Sequence, residues 1–168
     1  GYYTSDTMWD AFAKFDEPPK RLVVLGGGPI GCELAQSFAR LGSKVTQVER
    51  SARIMGREDE EVSKLAQESL IQDGVIMLTS HSAVRCEKEG EVKRLIAEHD
   101  GQESIIEFDA LICAVGREAR LEGYGLESLG IETKGTIVTN DYLETLYPNI
   151  FAAGDVAGPY QFTHVAAH

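Results

Sequence analysis

The chain has 168 residues, 43 % of them hydrophobic, and a formal net charge of −11. The apolar share is enough for a folded core and excludes wholesale disorder. The acidity argues against nucleic acid and anionic membranes as partners, since both need clustered Lys and Arg, but it leaves an anionic cofactor open, because helix N-termini bind phosphate whatever the net charge.

Residues 4–15 place Met8, Trp9 and Phe12 at helical spacing and stop short of Pro18-Pro19, which predicts a short helix and a stiff linker. The run Arg21–Leu25 (RLVVL) ends in three glycines and reads as a buried parallel strand. The period then changes. Ile30, Leu34, Phe38 and Leu41 fall on one helical face, with Gly42 as a C-terminal cap. Lys44–Val48 predicts a second strand. Residues 59–72 predict a second helix with Val62, Leu65 and Ala66 inward, acids in its first turn and Gly74 beyond its end. A third strand follows at 75–78. Strand, helix, strand, helix, strand is the order of a doubly wound unit.

Beyond this point helical periodicity is lost. Residues 83–86, 92–97 and 104–108 read as short strands separated by EKEGE and HDGQE, a three-strand antiparallel meander. Residues 109–115 (DALICAV) return to a buried strand closed by Gly116. Residues 122–135 are loop-rich, short strands are expected at 137–138 and 149–153, and a helix is expected to begin within 160–168. No apolar run approaches the roughly 20 residues of a bilayer span, and the first ten residues lack the pattern of a signal peptide. Cys32, Cys86 and Cys113 have no CxxC spacing, which disfavours a disulfide framework or a zinc site and fits a reducing cytoplasm.

The chemistry lies in Gly26-Gly27-Gly28-Pro29-Ile30-Gly31, which satisfies G-x-G-x-x-G after a strand and at the start of a helix. Gly26 permits the tight turn, Gly28 lets backbone approach a pyrophosphate, and Gly31 lets the helix pack on the strand. Pro29 suits the first helical turn, where its missing N–H costs nothing. The amides of that turn, Ile30 among them, then face the phosphates. Glu49 follows the second strand, 21 residues after Gly28. A carboxylate there accepts bonds from ribose hydroxyls and repels a 2′-phosphate, favouring NAD over NADP. Arg50 opposes that preference, because a guanidinium pairs with such a phosphate; as a solvated surface charge it would have no role. Glu33 near the helix start has an ordinary explanation in the helix dipole, and Cys32 reads as packing rather than as a nucleophile.

The run RLVVLGGGPIGCELAQSFARLGSKVTQVER resembles the pyridine-nucleotide domain of the flavin-dependent disulfide oxidoreductases, the group of dihydrolipoamide dehydrogenase, glutathione reductase and mercuric reductase. Ala114-Val115-Gly116-Arg117 is similar to that family's AxGR turn, residues 145–155 (TLYPNIFAAGD) to its second flavin motif, and residues 162–166 (FTHVA) to the helix that follows. The resemblance runs over essentially the whole chain. It implies an α/β, Rossmann-like three-layer domain with a parallel sheet and an antiparallel meander, the FAD/NAD(P)-binding fold. It implies that Gly154-Asp155 holds the FAD ribitol chain, that Glu33 lies near the nicotinamide carboxamide, that Val165 lies against the flavin, and that Gly116 lets the cofactor pass close to the backbone. NAD is the expected cofactor of this chain, with NADP the alternative; FAD belongs to the whole protein, a homodimer.

The departures from the family are equally specific. A second G-x-G-x-x-G, the redox-active CxxxxC and the C-terminal dimerisation domain with its His-Glu pair are missing from these residues, and His164 and His168 are not that pair. The chain therefore reads as a piece of a longer enzyme: an N-terminal helix and linker over 1–20, an NAD(P)-binding domain over 21–118, and a linker with the start of a returning FAD-binding segment over 119–168. A non-catalytic NAD(H)-binding module is the alternative for the chain alone. A methyltransferase-like domain is disfavoured by the meander and by the Gly154-Asp155 motif.

Overall fold

Short aliphatic runs such as Arg21–Leu25 and Ala110–Cys113 form the central strands, and a computed structural model describes residues 2–158 and 161–167 of the chain. The elements are β1 (Tyr3–Thr4), α1 (Met8–Phe12), β2 (Arg21–Leu25), α2 (Pro29–Arg40), β3 (Lys44–Val48), α3 (Glu60–Gln72), β4 (Ile76–Leu78), β5 (Ser82–Glu89), β6 (Val92–His99), β7 (Gln102–Phe108), β8 (Ala110–Cys113), a 3-10 turn (Gly154–Val156) and α4 (Thr163–Ala167). They divide into two compact units, Gly1–Gly116 and Arg117–His168.

In the first unit five strands form a parallel sheet in the order β1-β8-β2-β3-β4, and β5-β6-β7 form a separate antiparallel sheet. Strand β2 is covered on both faces, which is why it reads as a continuous apolar run. Leu22 and Val24 point to the helices, where Cys32 and Ala35 of α2, Val45 of β3, Leu70 of α3, Ile54 and Ile112 complete one core. Val23 points the other way, where Val48 and Leu111 meet Leu95, Ala97 and Phe108 of the meander. Each Val, Leu, Ile or Phe among them contributes about 1.5–3 kcal/mol on full burial. The three layers are thus helices, parallel sheet and meander. Helices α2 and α3 share one face because β2, β3 and β4 advance in one direction across the sheet. The expected fold class is the one observed.

Several local expectations are corrected. Residues 3–4 form a strand beside β8, with Tyr3 opposite Ile112, so the first helix is shorter than its spacing suggested. On α3, Val62 and Leu65 are exposed, at 48 % and 70 %, while Ser63 and Leu70 are buried. The helix is rotated because the Ser63 hydroxyl donates to the Ile54 carbonyl at 2.7 Å, which satisfies a polar group inside the core. Leu41 is likewise exposed, since it caps α2 rather than belonging to its inner face.

The second unit has its own small core of Leu126, Ile131, Ile137 and Ala152, flanked by Leu121, Tyr147 and Ile150. The strands expected at 137–138 and 149–153 are single bridges, Thr133 to Ile137 and Glu144 to Phe151, too short for ladders. The expected terminal helix is α4; Tyr160 and His168, at the ends of that expectation, lie outside the described residues. Among the described residues no helix is long and apolar enough to cross a membrane.

Candidate functional site

Strand β2 has β3 on one side and β8 on the other, so its carboxyl end opens at the point where the chain's path reverses, the place where open α/β sheets bind ligands. Three chain segments meet there. Gly26 N–H donates to the Val48 carbonyl at 2.8 Å, and Ala114 N–H donates to the Leu25 carbonyl at 2.8 Å. A side chain at Gly26, which has φ +105°, would strike the Ala114 carbonyl, and one at Gly31 would strike the Gly26 carbonyl. These two glycines are therefore demanded by packing.

Gly28 is different. Its φ of −73° suits any residue, and a Cβ there would meet nothing within 4 Å. What a glycine gains at Gly28 is open space in front of the backbone.

The preceding turn is fully engaged. Gly27 N–H donates to Glu49 Oε2 at 2.6 Å, and the Gly27 carbonyl accepts from Met55 N–H at 2.6 Å. The Gly26 carbonyl accepts from the Gln47 side-chain amide at 2.9 Å. Past Gly27 the pattern changes: among the described residues the N–H groups of Gly28, Ile30 and Gly31 meet no protein acceptor. Pro29 occupies the first helical position, where no N–H is missed. Three such amides at the start of a 12-residue helix are able to donate to an anion.

Glu49 stands at the end of β3. Its Oε1 accepts from Ser51 N–H at 2.6 Å, and its own backbone is gripped by Leu78 and His81. Burial pushes the carboxyl up, but the Ser51 and Gly27 amides and the Arg50 charge outweigh this and hold it below its ordinary range. It is thus an anion that still has lone pairs to offer. Arg50 beside it is exposed. Glu33 is exposed on α2 and lines a cleft of about 210 Å³ with Pro29, Cys32, Met55 and Leu70. The Cys32 thiol, 3.5 Å from the Gly27 carbonyl to which it donates, is buried, and burial pushes its pKa up. That is a packing cysteine.

Gly116 closes the first unit with φ +150°. Gly154, Asp155 and Val165 belong to the second unit. Gly154 has φ +78°, and a Cβ on it would touch Ala166 of α4 at 3.4 Å. Asp155 Oδ2 accepts from Arg117 Nη1 at 3.2 Å with both side chains nearly half exposed, and Val165 is exposed on α4.

Residues outside the sequence-based set matter. Gln47 and the strap of residues 51–58, whose Ile54 is fully buried and whose Met55 adopts φ +47°, brace the glycine turn. The signal for Gln47 is its register: a long amide two positions after Val45, on the same face of β3. The strap carries no comparable signal, because its hydrogen bond to the turn runs from the Met55 N–H to the Gly27 carbonyl, backbone to backbone.

The model of the family Pyridine nucleotide-disulphide oxidoreductase matches residues 4–168, and the chain belongs to that family. It is 41 % identical over 154 residues to a mercuric reductase of Staphylococcus aureus, covering 90 % of this chain and 28 % of that protein. It is also 41 % identical over 154 residues to a dihydrolipoyl dehydrogenase of Bacillus subtilis, with 90 % and 33 % covered. Among solved structures, the HOCl-induced flavoprotein disulfide reductase RclA of Escherichia coli superposes with a TM-score of 0.85 at 32 % identity, covering 99 % of this chain and 37 % of that one. The chain thus spans about a third of the length of the relatives it matches.

Proposed function

We propose that residues 1–116 bind NAD(H), and that in the whole protein they position it for hydride transfer to FAD. The observation that carries this is the division of labour in the glycine turn. Every backbone group of Gly26 and Gly27 is held by the protein, whereas among the described residues the amides of Gly28, Ile30 and Gly31 have no acceptor, and the space beside Gly28 is open. A pyrophosphate satisfies those amides and the helix dipole together. Glu49 then accepts the adenosine ribose hydroxyls, which favours NAD over NADP.

When bound, the nicotinamide supplies a hydride and the flavin accepts it; the chain's own contribution is placement and electrostatics. Glu33 would lie toward the carboxamide and Gly116 would pass the cofactor. In the second unit Asp155 has one carboxylate oxygen on Arg117 and, among the described residues, no donor on the other, which fits acceptance of a ribitol hydroxyl. Gly154 and Val165 would complete that flavin edge, in a protein we expect to be dimeric. For the chain alone, nucleotide binding without catalysis is the reading. Nicotinamide fluorescence followed during titration of the chain with NADH tests it. Saturable binding is expected, and absence of binding by the folded chain overturns it.

A further inference from the structure

Strand β3 contains one residue that its pattern does not call for. Val45 and Gln47 lie on the helix side, where Val45 belongs to the apolar core. An aliphatic side chain at position 47 would extend that core. Gln47 is instead 0 % exposed. Its Nε2 donates to the Gly26 carbonyl at 2.9 Å and lies 3.6 Å from Cys32 Sγ. Among the described residues its Oε1 is buried without a partner.

An unpaired buried amide oxygen is a cost that a similarly shaped apolar residue would avoid. A local rule broken with no gain in packing marks a position kept for function. The donor end of the amide shows which function. It sits beneath the crossing of α2 and β2, bonded to Gly26 and 3.4 Å from where a Gly31 Cβ would be, so it touches both packing glycines of the turn. The other polar groups of Gly26 and Gly27 are held by Val48, Glu49 and Met55. The Gly26 carbonyl is the remaining group, and the Gln47 amide holds it.

We propose that Gln47 is a positioning residue for dinucleotide binding: its amide seats the Gly26 carbonyl and so fixes the direction in which the Gly28, Ile30 and Gly31 amides point. This rests on the dinucleotide reading above, but it has a readout that needs no nucleotide. Gln47→Met removes both the donor and the orphan oxygen at nearly constant length, and Gln47→Leu is the second variant.

Each variant is compared with the unaltered full chain by thermal melting, amide hydrogen exchange and NADH titration. The expected result is a melting temperature equal or higher, faster exchange at the bonded amides of Gly26 and Gly27 with β2 and β3 unchanged, and a Kd for NADH raised about three- to tenfold. Unchanged exchange and affinity in a folded variant overturn the proposal. So does a loss of affinity that only follows a fall in melting temperature, or failure of both variants to fold, because each assigns Gln47 to the core. If the unaltered chain binds no NADH, the nucleotide reading fails by itself. The exchange comparison then still decides whether Gln47 holds the turn.

Discussion

Glu49 Oε2 lies 2.6 Å from the amide nitrogen of Gly27, so the acid at the end of β3 is tied to the glycine turn independently of any nucleotide. With Ser51 N–H on its other oxygen, the same carboxylate also pins the start of the strap over residues 51–58. One side chain therefore joins the glycine turn to the strap of residues 51–58.

Removing that side chain should have two separable effects. Glu49→Ala leaves the Gly27 and Ser51 amides without their acceptor and should destabilise the chain by about 1–3 kcal/mol. It should also weaken NADH more than NADPH. Chemical denaturation and paired titrations measure the two effects independently.

The acid also sets a pH dependence. Its folded pKa is depressed, so its stabilising effect is present above its ordinary value of about 4.5 and is lost as pH falls through the lower folded value. The stability difference between the unaltered chain and Glu49→Gln should be constant from neutral pH to about pH 5 and shrink below it. Asp73 and Asp109, also lowered by arginine partners, are present in both proteins and cancel. Thermal melts across pH 3 to 7, roughly the range in which such carboxyls titrate, read the difference directly.

The glycines of the turn should respond in opposite ways. Gly31→Ala drives a methyl into the Gly26 carbonyl and should cost about 1–3 kcal/mol of stability as α2 is pushed outward. Gly28→Ala meets nothing and has an ordinary φ, so its melting temperature should stay put while NADH binding is lost. Equal loss of stability in both would mean that Gly28 is structural too.

In the second unit, Arg117→Ala should change stability by less than about 1 kcal/mol, because its pair with Asp155 is exposed to solvent. Asp155→Asn in the whole protein should nonetheless lower retention of FAD, measured as flavin absorbance per chain after gel filtration.

Much of this was legible in the residues. The period change from RLVVL to the helix of Ile30, and the turn chemistry of EKEGE and HDGQE, marked the sheet, α2 and the meander. Gly26, Gly28, Gly31 and Glu49 could be picked out by spacing, since strand, turn and helix lengths dictate what meets at a sheet's carboxyl end. Long-range partners were not legible. Tyr3–Thr4 becomes a strand only because β8, more than a hundred residues later, offers an edge. On α3 the expectation holds for Ala66, which packs against the core, and fails for Val62 and Leu65, because Ser63, a polar residue, is buried with its hydroxyl on the Ile54 carbonyl. The grip of Met55 on Gly27 is backbone to backbone and leaves no trace in side-chain type.

The most direct test of the central claim is a parallel titration of the chain with NADH and NADPH, repeated on Glu49→Ala. Tighter binding of NADH than of NADPH by the unaltered chain is expected, with a preference that narrows in the variant. Tighter binding of NADPH by the unaltered chain would contradict it, and would assign the ribose end of the site to Arg50.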